Sequence, residues 1–93
     1  MKVLEAKILE IRDEEPGSEP DHRTDTWMIE AKLTEHILGW EDVRIDLQAS
    51  EVGAEIIETS MADARGFTVR TRGKPQVEKG GVIHVAVRET QTA

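Results

Sequence analysis

From Trp27 onward the apolar residues of this chain recur at every second position. Trp27, Ile29, Ala31 and Leu33 alternate with Glu30, Lys32 and Thr34, so one face of an extended segment is apolar and the other polar. The same spacing sets Val43, Ile45 and Leu47 against Arg44, Asp46 and Gln48. It also sets Phe67 and Val69 against Thr68 and Arg70, and Ile83, Val85 and Val87 against His84, Ala86 and Arg88. Runs of period two are half-buried strands, and four of them in 93 residues predict a mainly β chain whose apolar faces must cover one another.

The first segment is less direct. Leu4, Ile8 and Ile11 have helical spacing, yet Leu4-Glu5-Ala6-Lys7-Ile8-Leu9-Glu10 echoes Ile29-Glu30-Ala31-Lys32-Leu33-Thr34-Glu35, which belongs to a run of plain alternation. The first copy is therefore read as a strand too. Its inward parity changes from Leu4, Ala6 and Ile8 to Leu9 and Ile11, as a β-bulge in a strongly curved strand would require. Glu14 to His22, with Pro16, Gly17 and Pro20 and no apolar residue, predicts a long exposed loop. Ser50 is placed to cap a helix over Glu51 to Ala64 that carries Val52, Ile56, Ile57, Met61 and Ala64, with Gly66 to end it. Gly73-Lys74-Pro75 breaks the next strand, and Lys79-Gly80-Gly81 is turn chemistry before the last one.

The resulting order is β-β-β-α-β-β, expected as a single domain over residues 1–93. It predicts a small five-stranded OB-like barrel or curved antiparallel sheet with one α-helix. A β-grasp-like or ferredoxin-like α+β sheet with one packed helix is the alternative. Trp40-Glu41-Asp42-Val43-Arg44-Ile45, a helix, and then Gly66-Phe67-Thr68-Val69-Arg70-Thr71-Arg72-Gly73 resemble the middle of bacterial single-stranded-DNA-binding barrels. That resemblance implies an OB barrel holding single-stranded nucleic acid. The first strand lacks the glycine usual in that family, and the only aromatic residues are Trp27, Trp40 and Phe67.

Charge is divided unevenly along the sequence. Residues 1–58 carry 6 Lys/Arg and 16 Asp/Glu, net −10, while residues 59–93 carry 6 and 3, net +3, giving −7 overall. Charge informs association better than fold, so this division points to a binding protein. The absence of cysteine excludes disulfides, thiolate metal sites and thiol catalysis, and fits a cytoplasmic protein. No apolar run reaches the length of a signal peptide or a membrane span, so a soluble chain without a membrane role is expected.

On the outer face of a last hairpin, Arg70, Arg72, His84 and Arg88, with Lys74 and Lys79 near its tip, form a candidate basic patch for a phosphate backbone. The competing reading is a solvated face that blunts an exposed edge. Glu14, Glu15, Glu19, Asp21 and Asp25 form a candidate acidic surface for a basic partner. The two prolines and the missing glycine-centred loop argue against a cation site there, and His22, His36 and His84 lack ligand spacing, so no metal is expected. Trp40, following Leu38 and Gly39 in a short connection, is the preferred contact residue, as a lid over the barrel mouth or as an interface anchor.

Ser18, Ser50 and Ser60 lack a nucleophile elbow, and the glycines fit neither a Walker A nor a dinucleotide fingerprint. No catalytic constellation and no cofactor is expected. The expected function is a small non-enzymatic binding module acting through protein–protein contacts or self-association, as an adaptor, a regulatory subunit or an acidic inhibitor of a basic partner. The alternative is a single-stranded nucleic-acid-binding OB protein using the basic last hairpin.

Overall fold

The computed structural model describes residues 2–14 and 25–89. Six strands and one short helix follow the order β1 (Lys2–Asp13), β2 (Thr26–Leu33), β3 (Val43–Asp46), α1 (Ala49–Val52), β4 (Glu55–Met61), β5 (Gly66–Arg72) and β6 (Val82–Glu89). All neighbours are antiparallel, in the order β3-β6-β1-β2-β5-β4. The sheet curls until its two outer strands, β3 and β4, lie side by side. The result is a nearly closed, barrel-like antiparallel sheet, compatible with an OB-like fold and built from six strands where five were expected.

Alternation along the strands is what makes closure favourable. Leu4, Ala6 and Ile8 of β1, Ile29, Ala31 and Leu33 of β2, and Ile83, Val85 and Val87 of β6 are buried in one core with Ile45 of β3. Phe67 and Val69 of β5 complete it, with Phe67 the sole buried aromatic. Curling lets these faces cover each other without a second layer, and each fully buried aliphatic side chain contributes roughly 1.5–3 kcal/mol. Between β3 and β4, α1 adds the fully buried Val52, whose carbonyl accepts the Gln76 N–H at 2.7 Å.

The bulge expected in β1 is present. Ile8 pairs with Ala31 and Glu10 with Glu30, leaving Leu9 as the extra residue. Leu9 stays largely outside, while Ile11 returns to pack on the core. The bend falls where the partner of β1 changes. Lys2 to Lys7 pair with β6, but Ile8 exchanges backbone bonds with the Gly80-Gly81 turn, its N–H donating to the Gly81 carbonyl at 2.9 Å and its carbonyl accepting the Gly80 N–H at 2.7 Å.

The helix expected over Glu51 to Ala64 does not form. Its N-cap is Gln48 rather than Ser50, and Gly53, in the left-handed region at φ 66°, stops it after Val52. Gly66 opens β5 instead of closing a helix. Glu55–Met61 is β4 because Ile56, Ile57 and Thr59 are β-branched and lose side-chain freedom in a helix. A second bulge lies between Ile56 and Glu58. Ile56 and Met61 pack on the core with Thr59 part-buried between them, while Ile57 at the bulge is exposed, so the i, i+4 spacings Val52–Ile56 and Ile57–Met61 that suggested a helix do not share one face.

The expected last hairpin is also corrected. β5 pairs with β2 and β4, β6 pairs with β1 and β3, and two strands separate them.

The β4–β5 turn is held by Asp63, whose Oδ1 accepts the backbone N–H of Gly66 at 2.6 Å and of Arg65 at 2.8 Å. These two donors hold the carboxyl below its ordinary value of 3.8, with Lys32 and His36 adding to the effect. Because the native pKa lies below the unfolded one, this carboxylate adds stability above pH 3.8 that is lost as pH falls through the native value. Asp63→Asn is therefore expected to lose less stability on acidification than the native chain, measured as urea midpoints at pH values between about 2 and 6; parallel curves would remove this account.

A second expectation separates backbone strain from crowding. A Cβ on Gly53 would clash with the Gln76 Cβ, whereas one on Gly39 (φ 69°) would meet nothing within 4 Å. Gly39→Ala should cost about 1 kcal/mol from strain alone, and Gly53→Ala about 2–4 kcal/mol. Equal losses in urea denaturation would mean that Gln76 yields freely.

Candidate functional site

The barrel-like sheet is laddered everywhere except between β3 and β4. Among the described residues one hydrogen bond crosses this seam, from Thr59 Oγ1 to the Ile45 carbonyl at 2.8 Å. Beside it lie two cavities. The first, of about 220 Å³, is lined by Trp40, Val43, Arg44 and Ile45 on one side and Thr59, Ser60 and Met61 on the other. The second, of about 310 Å³, lies between Arg44 to Leu47 and Ile56 to Thr59.

The gap has a cause in the sequence. β4 contributes no side chain to the fully buried core, and its bulge at Ile57 breaks the regular edge. β3 has only four residues, too few to build a long ladder. Unpaired strand edges expose backbone donors and acceptors, and they are where a second chain adds.

The connection into β3 is built by backbone geometry. Gly39 takes a left-handed conformation and its carbonyl accepts the Asp42 N–H at 3.0 Å, folding Trp40–Asp42 into a single 3-10 turn. Upstream, Ile37 packs on the core and its N–H donates to the Ala64 carbonyl at 2.8 Å. Between these anchors Leu38 stands 94% exposed. Trp40 is half-buried at the first cavity, with Glu41 and Asp42 exposed beside it.

The other residues singled out from the sequence are placed differently. Arg70 Nε donates to Glu14 Oε1 at 2.9 Å, and Arg70 Nη1 lies 3.8 Å from Glu58, so the guanidinium is held above its ordinary pKa chiefly by Glu14. Arg72 is 3.5 Å from Glu55, Lys79 3.6 Å from Glu10 and Arg88 2.9 Å from Asp46. His84 Nδ1 is 3.4 Å from Glu51, which also accepts the His84 backbone N–H at 2.6 Å. Lys74 Nζ sits 5.8 Å from the Trp27 ring centroid, and Trp27 Nε1 donates to Asp25 Oδ1 at 3.1 Å. Glu15, Glu19 and Asp21 lie outside the described residues.

Arg70 and Arg72 on β5 are thus brought to carboxylates, and so are His84 and Arg88 on β6, but the two sets are not brought to each other. The acidic and basic halves of the sequence interleave on the outer face. Each exposed pair contributes at most about 1 kcal/mol and weakens with salt. Each of these cations therefore has an acidic neighbour on the outer face. Of the aromatic residues, Phe67 is 1% exposed and Trp27 is part-covered by Lys74, which leaves Trp40 as the aromatic side chain at a cavity. Among the described residues no three His, Cys, Asp or Glu side chains converge as a metal set, and no helix is long and apolar enough to cross a membrane.

Sequence reasoning singled out Trp40, which lies half-buried at a cavity, and gave no weight to the exposed Leu38 or to Thr59 at the seam. An isolated leucine ahead of a turn glycine was the signal for the first. Thr59 was hidden inside the expected helix. No family model matches the chain, and no curated protein and no solved structure matches it either.

Loss of the seam bond should be measurable. Thr59→Val removes the donor and leaves the part-buried Ile45 carbonyl unpaired, at a cost of about 1 kcal/mol, while Thr59→Ser keeps the hydroxyl. Urea midpoints together with amide exchange at β3 are expected to fall for valine and recover for serine. Valine behaving as the native chain would mean that the bond does not hold the seam.

Proposed function

We propose that this chain is a non-enzymatic binding module that docks a basic protein surface through the Leu38 to Asp42 turn and the adjoining β3–β4 seam. The observation that carries this reading is Leu38, 94% exposed on a turn whose two ends are fixed by backbone hydrogen bonds. A single exposed leucine is ordinary on a protein surface. This one stands two residues from a half-buried tryptophan that lines a cavity of about 220 Å³, so an apolar side chain of a partner has both a knob to cover and a recess to enter.

Charge selects the kind of partner. Glu41 and Asp42 flank the apolar centre, and the chain carries −7 overall, so a basic surface is steered in and a negative one repelled. Adaptor, regulatory subunit and acidic inhibitor are all roles such a surface serves. The alternative, a nucleic-acid-binding barrel, rests on Arg70, Arg72 and Arg88, each of which already faces a carboxylate.

The test compares the native chain, Leu38→Ser and Trp40→Ala as immobilised baits, each first checked for an unchanged amide spectrum. A protein retained by the native chain is purified and titrated by calorimetry, and each substitution is expected to weaken it about tenfold or more. A partner bound equally by all three sinks the proposed surface. In parallel, labelled single-stranded oligonucleotides at physiological salt should give no submicromolar affinity by fluorescence anisotropy. Tight binding that falls on Arg70→Ala with Arg72→Ala would install the nucleic-acid reading in its place.

A further inference from the structure

Where β2 ends and the β4–β5 turn closes over it, a cavity of about 290 Å³ is lined by Lys32, His36, Asp63, Ala64 and Arg65. Two backbone bonds lock its walls together, Leu33 N–H to the Arg65 carbonyl at 2.9 Å and Ile37 N–H to the Ala64 carbonyl at 2.8 Å. Arg65 is oriented within it, since its Nε donates to the Leu33 carbonyl at 3.1 Å. Lys32 sits opposite Gly66 in the β2–β5 ladder, so no side chain of β5 covers it, and opposite Lys7 in the β1–β2 ladder.

Cations on the described residues divide into those held by a carboxylate and those, Lys7, Arg44 and Lys74 with Lys32 and Arg65 of this cavity, that have none within 4.0 Å. Lys2, Arg12, Arg70, Arg72, Lys79 and Arg88 each lie within 4.0 Å of a carboxylate. Lys32 and Arg65 have no such partner among the described residues, although Asp63 shares their cavity. The Asp63 Oδ1 is already taken by two backbone donors, at 2.6 and 2.8 Å. Lys32 and Arg65 against Asp63 give the cavity one excess positive charge on a chain of net −7. Asp63 offsets one of the two cationic charges, and a bound anion would offset the other.

We propose that this cavity is an oxyanion site that takes a phosphate group, bound by the Arg65 guanidinium, the Lys32 ammonium and a His36 ring N–H. Arginine offers paired donors that match phosphate oxygens, lysine adds a point charge, and the three side chains approach from two separate segments. A tetrahedral phosphate has oxygens for all three, whereas a planar carboxylate is served by the guanidinium alone. The site is separate from the Leu38 and Trp40 surface and does not depend on that reading.

The experiment titrates inorganic phosphate into the full isotope-labelled chain at constant ionic strength, following amide shifts. Saturable movement is expected at His36, Ala64, Arg65 and Gly66, with a midpoint in the millimolar range because the donors are partly exposed. Arg65→Gln and Lys32→Gln should each raise that midpoint at least about threefold, roughly 0.65 kcal/mol, while Arg70→Gln leaves it unchanged. Movement that stays linear in phosphate, or that persists in both cavity variants, overturns the site. An acetate arm that saturates with the same midpoint overturns the assignment to phosphate. Unchanged spectra outside the cavity verify that the variants are folded, and Lys32→Gln, on an exposed side chain, keeps the proposal testable should Arg65→Gln disturb the turn.

Discussion

A sheet with one apolar face must either find a cover for it or become its own cover. Here the second solution holds, and the rest of the molecule depends on it. Curvature comes from local devices: the Leu9 bulge bends β1 where its partner changes, and the Gly80-Gly81 turn takes over the pairing of Ile8. The aliphatic composition suits this, because small branched side chains fill a narrow interior at high density. Closure stops one ladder short, at a strand that places no side chain in the fully buried core.

That incomplete closure concentrates exposed chemistry at one edge of the molecule. Strand edges elsewhere are consumed by neighbours, while β3 and β4 keep backbone groups, two cavities and a half-buried tryptophan between them. Features that blunt the edge are present too, in the four-residue length of β3 and the bulge of β4. These devices oppose indiscriminate strand pairing.

The charge pattern has a different meaning in three dimensions than along the chain. Read linearly, an acidic portion precedes a basic one. In the fold, Glu10, Glu14, Asp46, Glu55 and Glu58 stand opposite Lys79, Arg70, Arg88, Arg72 and Arg70 again, so the polarity becomes a mosaic. What survives is the net excess of acid in the chain and, among the described residues, the cations left without a carboxylate, of which Lys32 and Arg65 share one cavity.

The sequence by itself determined the strands that alternate with period two, since Ile29, Ala31 and Leu33 or Ile83, Val85 and Val87 have no other way to share a face. It also located the β1 bulge, because a parity change within one apolar run has a local cause. It misjudged β4, where i, i+4 spacings Val52–Ile56 and Ile57–Met61 suggested a helix, the bulge at Ile57 broke strict alternation, and Gly53 was not recognised as the stop. Trp40 drew notice because an aromatic in a short connection stands out, and the fold puts it half-buried at a cavity; the places of Leu38 and Thr59 were not legible, since they depend on what faces them. Only the tertiary structure decided which strands are neighbours, and so that β5 and β6 are separated, that cations meet carboxylates distant in sequence, and that β3 and β4 meet without a ladder. Strand order is set by long-range pairing and closure of the whole sheet, and no local pattern of side chains encodes it.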